Sequence, residues 1–130
     1  MFSTTVRNAV LDHLFGLAAW TAPTELWIGL STADPLADGS GLAEPAGNNY
    51  SRVELGITGT NWLRTANVVD NKLVITFPEA SGAWGTITHL ALFDAVAGTY
   101  LLSFALTAPK DVDAGDTPRF PVGDINTNLV

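Results

Sequence analysis

The segment 83–94, AWGTITHLALFD, restricts the fold more than any other part of the chain. It begins with a large aromatic residue, continues as a run of strand-forming residues and ends at an acidic turn. A second apolar run, 99–106, starts just beyond Gly98, so the two runs predict an antiparallel β-hairpin. The strongest signal in the sequence is therefore architectural and not catalytic.

Other segments alternate between apolar and polar or small residues with a period of two. Leu26, Ile28 and Leu30 form one such set, and similar alternation covers 52–57 and 72–77. Asp70 and Asn71 predict a two-residue hairpin turn between 67–69 and 72–77, because Asp and Asn tolerate positive φ. Further strands are predicted at about 86–93, 99–107, 117–122 and 124–129. Short strands separated by frequent turns predict a mainly β protein, an antiparallel β-sandwich or jelly-roll-like domain.

Residues 3–19 predict one N-terminal α-helix. Ser3, Thr4 or Thr5 can cap it, and apolar residues then recur at helical spacing: Val6, Val10, Leu14 and Leu17. This apolar stripe must pack on something. We expect packing on its own domain, with a neighbouring subunit as the alternative. Because 130 residues is an ordinary domain size, we predict a single domain over 1–130.

Residues 33–49, ADPLADGSGLAEPAGNN, predict a long surface loop because they show no periodicity and are rich in Pro and Gly. Long loops are usually functional or disordered, and we favour a loop that becomes ordered against a partner. The candidate interface residues come from this loop and from the segments that follow it: Asp34, Leu36, Leu42, Tyr50, Trp62 and Arg64.

Composition limits the classes of partner. The net charge is −7, and the six basic residues are scattered singly, which disfavours direct binding to nucleic acid or to an anionic membrane. Cysteine is absent, which excludes disulfides and thiolate metal sites. No run approaches the ~18 apolar residues of a membrane span, and the start of the chain does not resemble a signal peptide.

Reactive groups are sparse. The chain has two histidines, His13 and His89, and no G-x-S-x-G motif, so we predict that it is not an enzyme. The run 111–116, DVDAGD, is similar to the start of a calcium loop, but its glycine stands one place early and no glutamate closes it. We therefore expect no metal and no cofactor. Four tryptophans leave a carbohydrate-binding module as a further alternative: Trp20, Trp27, Trp62 and Trp84.

Several short motifs occur together in a recognisable order. They are LSTADP at 30–35, NYSRV at 49–53, FP at 77–78, WGTITH at 84–89, FD at 93–94, LTAPK at 106–110 and GDTPRF at 115–120. This order resembles a group of small tailed-bacteriophage proteins labelled tail-fibre-like or virion structural proteins. The segments 38–46 and 60–64 depart from the pattern of that group.

The resemblance implies a non-enzymatic virion protein, assembled in the bacterial host cytoplasm, that binds other virion proteins and forms a homo-oligomer. We predict a capsid decoration or cement protein that contacts the major capsid protein, because the chain has neither coiled-coil heptads nor a fibrous repeat. The alternative is a tail-fibre or spike component involved in host attachment, with tail proteins as its partners.

Overall fold

The computed structural model describes residues 1–128, and within them one helix is followed by nine strands in three antiparallel sheets. The elements are α1 (Thr4–Leu14), β1 (Trp27–Ser31), β2 (Val53–Glu54), β3 (Trp62–Thr65), β4 (Val68–Asn71), β5 (Ile75–Thr76), β6 (Gly85–Phe93), β7 (Tyr100–Val112), β8 (Arg119–Phe120) and β9 (Asn126–Asn128). The prediction of a mainly β antiparallel domain with one N-terminal helix is confirmed.

The largest sheet has the strand order β2-β1-β6-β7. Its centre is the predicted hairpin, in which β6 pairs antiparallel with β7 and Leu92 lies opposite Leu102. The hairpin is irregular in the middle, because the partner changes from Lys110 at Ile87 to Ala105 at His89. Residues 106–109 therefore bulge from β7 and bend the sheet at this point.

The predicted turn at Asp70 and Asn71 is wrong. Both residues belong to β4, and the chain turns one strand earlier, at Ala66, whose φ is +54°. The side chain of Asn71 forms hydrogen bonds with backbone groups in the interior. Its fully buried amide donates to the carbonyl oxygens of Leu73 and Pro121 and accepts from the Ile125 N–H. A sequence pattern cannot separate this use of Asn from a turn.

The remaining strands are shorter than predicted. The segment 72–77 contributes only Ile75–Thr76, and 117–122 contributes only Arg119–Phe120, which pairs with it. The segment 124–129 contributes Asn126–Asn128, and its last residue lies outside the described residues. The loop 33–49 contains neither helix nor strand, as predicted.

The predicted helix 3–19 is too long, because α1 ends at Leu14. Ser3 caps it, with its Oγ accepting from the Val6 N–H at 3.2 Å, and Gly16 then takes a φ of +70°, which ends helical geometry. Among the helical residues Val6 is the buried one. The expectation that the stripe packs on its own domain therefore holds for Val6 and in part for the half-buried Val10, and it is wrong for Leu14 and Leu17, which are exposed.

The core lies against one face of the large sheet. It contains apolar residues from that sheet, from β5 and β8 and from the connections between strands: Ile28, Leu30, Leu55, Ile75, Phe77, Ala80, Trp84, Ile87, Leu90, Leu92, Val112, Phe120 and Ile125. The third sheet contributes the partly buried Trp62, which packs against this cluster. Trp84 is 5% exposed, and its Nε1 donates to the Asn48 carbonyl at 2.8 Å. Burial of this ring fixes the start of β6 against the end of the long loop.

Candidate functional site

A polar cleft of about 700 Å³ lies between the start of the chain, the long loop and the last strand. Its walls combine charged and amide groups with two aromatic rings: Arg7, Asp34, His89, Ser103, Asn126, Asn128, Phe2 and Phe104. The register of the large sheet explains the grouping, because Ser31 at the end of β1 pairs with His89, and His89 pairs with Ala105 of β7. Asp34, three residues beyond Ser31, reaches the same edge.

His89 lies between a hydroxyl and a carboxylate. Its Nδ1 is 2.8 Å from the Thr88 Oγ1, and its Nε2 is 4.0 Å from the Asp34 Oδ1. The second distance is too long for a hydrogen bond, and the same Asp34 oxygen accepts from the Leu36 N–H at 3.0 Å. An activated hydroxyl needs a base that a third group orients through a hydrogen bond. The arrangement of His89 and Asp34 lacks that hydrogen bond.

An apolar groove of about 510 Å³ adjoins the polar cleft and shares Phe2, Phe104 and Thr127 with it. Its other walls come from the large sheet, from the residue before β1, from the connection between β2 and β3 and from the β3–β4 hairpin: Leu26, Ile57, Thr58, Gly59, Trp62, Arg64, Val69, Leu92 and Leu102. Trp62 is fixed in place, because its Nε1 donates to the Gly56 carbonyl at 3.0 Å. Arg64 is the charged residue of this wall. The groove is thus a fixed apolar depression in the surface.

The long loop is fastened to the large sheet by a cluster of Glu44, Tyr50 and Arg52. Arg52 Nη2 lies 2.6 Å from Glu44 Oε2, its Nε donates to Oε1 at 3.0 Å, and Tyr50 OH donates to Oε1 at 2.7 Å. The Glu44 and Arg52 side chains are only 19% and 15% exposed. The guanidinium also lies 3.3 Å from the centre of the Phe93 ring. The loop is thus ordered by the chain itself, and its order does not require a partner.

Gly29 allows this cluster to approach the sheet. A methyl group at this position would lie 2.6 Å from Glu44 Oε1 and 3.1 Å from the Tyr50 hydroxyl. Without it, the Leu30 N–H donates to the Tyr50 oxygen at 2.9 Å. Burial, followed by the hydrogen bond to Glu44, raises the pKa of Tyr50 well above its ordinary value. Tyr50 is therefore a neutral structural group at every physiological pH.

The outer part of the loop is a series of tight turns. Leu36 has a φ of +61° and is about half exposed, and Leu42 is half-buried. Asp38 accepts from the backbone N–H and the hydroxyl of Ser40, which lowers its pKa below the ordinary range. These carboxylate hydrogen bonds shape the loop and do not converge on a common point.

The six candidate interface residues do not form one patch. Asp34 lies in the polar cleft, and Trp62 and Arg64 lie in the apolar groove. Leu36 and Leu42 belong to the loop, while Tyr50 lies beneath it. Sequence reasoning missed Phe2, Arg7 and Phe104, because pairing of residue 2 with Leu102 in β7 brings distant segments together. A local pattern carries no signal for that pairing.

Two further features are absent from residues 1–128. These residues contain no group of three or more His, Cys, Asp or Glu that could hold a metal ion. Nor does any helix among them have the length and apolar character needed to cross a membrane. Of the four tryptophans, Trp84 is buried, Trp62 is half-buried in the groove, Trp27 is half-buried and Trp20 is 39% exposed.

The family model described as "Podophage GP4 fiber I protein gp80" matches residues 1–128. No curated protein matches the chain. The match covers both the cleft and the groove, as well as the loop that closes over β1.

Proposed function

The chain belongs to the podophage GP4 fiber I protein gp80 family, and from this premise we propose that it is a component of the tail fibre. As a member of a phage fibre family it is a virion structural protein of a tailed phage, assembled in the host, and it interacts with other virion proteins. The observation that carries the fibre assignment is the match itself, which spans residues 1–128.

Our prediction from the sequence was instead a capsid decoration protein that stabilises the head, based on compactness and on the lack of heptads. Those features fit a small globular segment of a fibre equally well. The apolar groove and the exposed end of α1 both favour a chain that is built into a larger assembly. We therefore place the fibre first and keep decoration as the alternative.

Gold-labelled antibody on intact particles separates the two locations. A fibre component gives label at the tail, while label spread over the head supports decoration and rejects the fibre. Antibody against the major capsid protein is the matched control for access to the head. Quantitative mass spectrometry adds an independent measure, because decoration requires a copy number in fixed ratio to the major capsid protein.

The proposal includes the absence of catalysis by the polar cleft. The supporting observation is the 4.0 Å separation of His89 Nε2 from Asp34 Oδ1, which leaves the imidazole without a hydrogen-bonded orienting carboxylate. We expect no hydrolysis of host surface polymers by the purified chain. Turnover that is lost in both His89→Ala and Asp34→Asn, with Glu79→Gln as an unaffected control, would contradict this part of the proposal.

A further inference from the structure

The end of α1 and the turn after it form an exposed apolar segment, Leu11–Ala22, which we call the arm. Leu14 is 71% and Leu17 is 76% exposed, and the other large apolar side chains of the arm are also exposed: Leu11, Phe15 and Trp20. The backbone is nevertheless fixed. The Leu17 N–H donates to the Asp12 carbonyl at 2.8 Å, and the Trp20 N–H donates to His13 Nδ1 at 3.2 Å.

An apolar arm of this size is unusual on an isolated protein. Its five large side chains present roughly 500–600 Å² of apolar surface, at the upper limit of the patches that monomers expose. Apolar residues exposed singly need no explanation, but five large ones within the ten residues from Leu11 to Trp20 indicate a contact surface.

The same chain has the apolar groove, which its own arm does not fill. No residue of the arm is among those that line the groove. A volume of about 510 Å³ accommodates several side chains of leucine or phenylalanine size. One copy of the chain thus has both an exposed apolar arm and an apolar groove that the arm does not occupy.

The charges at the two surfaces are complementary. The arm has no Lys or Arg, and its charged side chain at neutral pH is Asp12. The groove has Arg64 in its wall, and Lys72 reaches its edge by donating from Nζ to the Gly59 carbonyl at 2.9 Å. In a chain with a net charge of −7, two cations beside one apolar depression favour an apolar occupant with an acidic residue.

We propose that the arm of one copy occupies the groove of a second copy of this chain. The arm alone supplies roughly 500–600 Å², less than the roughly 800 Å² per partner of a standard stable interface, so the contact also includes surface around the arm and the groove. Because the two surfaces differ, the contact is head-to-tail, and it closes into a ring when the rotation between copies allows. The inference concerns self-assembly and does not depend on where the chain lies in the virion.

The absence of cysteine allows a direct test. Leu17→Cys and Ile57→Cys place one thiol on the arm and one in the groove, and copies that carry different tags are co-expressed and treated with a short bifunctional maleimide. We expect cross-linked pairs that contain one of each tag. Val96→Cys is the matched control, because Val96 is 57% exposed and lies outside both surfaces, and we expect it to give no pairs with Ile57→Cys.

Each other cross-linking result overturns the proposal. Pairs formed by Leu17→Cys with itself would indicate an arm-to-arm contact. No pairs, together with the mass of a single chain in sedimentation at high concentration, would show that the arm and groove bind a different protein or remain free.

Charge substitution provides a second measurement that does not use cysteine. Leu17→Lys is expected to weaken self-association by roughly 10–100-fold, because it would bury an ammonium group in the apolar groove beside Arg64 and Lys72. Val96→Lys should leave it unchanged, and circular dichroism verifies the fold of both variants. Equal self-association of the two would also overturn the inference. A tail location shown by gold label would not be affected by that result. Failure of the self-association proposal is therefore distinguishable from failure of the fibre assignment.

Discussion

Replacement of Glu44 by Gln should destabilise the whole domain although Glu44 lies in a loop without regular structure. The substitution preserves the size of the side chain and removes its charge. It leaves the Arg52 guanidinium, 15% exposed and lying against the Phe93 ring, without its ionic partner. It also disturbs the acceptor of the Tyr50 hydroxyl, which itself binds the Leu30 N–H at the centre of the large sheet.

The magnitude follows from the burial of the pair. Removal of one partner from a fully buried ion pair costs about 3–5 kcal/mol, whereas an exposed pair contributes about 0–1 kcal/mol. Because the two side chains are 19% and 15% exposed, the Glu44–Arg52 pair lies nearer the buried limit. We expect Glu44→Gln to lower the free energy of unfolding by about 2–4 kcal/mol.

Urea unfolding followed by tryptophan fluorescence measures this change. Glu79→Gln is the matched control, because Glu79 is exposed and its side chain makes no hydrogen bond among the described residues, and it should change stability by less than about 0.5 kcal/mol. In a double-mutant cycle with Arg52→Met we expect a coupling energy of about 1–3 kcal/mol. Equal stability of Glu44→Gln and Glu79→Gln would refute the reasoning, since the loop would then not be fastened through this pair.

Three further variants test other parts of the structure. Trp84→Ala should lower the free energy of unfolding by about 3–5 kcal/mol, because the ring is buried in the core, and unchanged thermal stability would contradict its packing. Asn71→Ala should cost about 2–4 kcal/mol in urea unfolding, since it leaves the Ile125 N–H and the Leu73 carbonyl unpaired, whereas the exposed Asn67→Ala should have little effect. Because the pKa of Tyr50 is raised in the folded state, its hydroxyl stays protonated there, whereas the same hydroxyl in the unfolded chain ionises at alkaline pH. The contribution of this group to the free energy of unfolding is therefore fully present below about pH 10 and is lost as the pH rises above that value. Tyr50→Phe should be less stable at pH 7 but show a shallower alkaline loss in unfolding titrations, and an unchanged alkaline slope would contradict this.

Local patterns in the sequence predicted those elements whose residue types are compatible with one kind of structure. The hairpin of β6 and β7 was predicted because two apolar strand-forming runs joined by a short turn favour antiparallel pairing. The same reasoning failed at Asn71, since an amide can form a turn or satisfy the interior, and only its neighbours Pro121 and Ile125 decide which. It also extended α1 too far, because the apolar residues keep their helical spacing past Gly16, whereas the backbone leaves the helical conformation there.

The candidate site was less accessible from the sequence. Asp34, Trp62 and Arg64 were selected and do line the cleft or the groove, but their separate locations depend on the pairing of residue 2 with β7 and on the sheet order β2-β1-β6-β7. Such long-range contacts have no local signature.

The sequence by itself determined that this is a β protein and that the chain is acidic and free of cysteine, because alternation and composition can be read directly from the order and kind of the residues. The tertiary structure alone decided that Glu44, Tyr50 and Arg52 meet over Gly29. It also decided that the end of the apolar stripe of α1 remains exposed and that the chain has an apolar groove which this segment does not line. The physical reason is that burial is a property of the whole chain: whether an apolar side chain lies in the core or is exposed for a partner depends on what the rest of the fold brings near it.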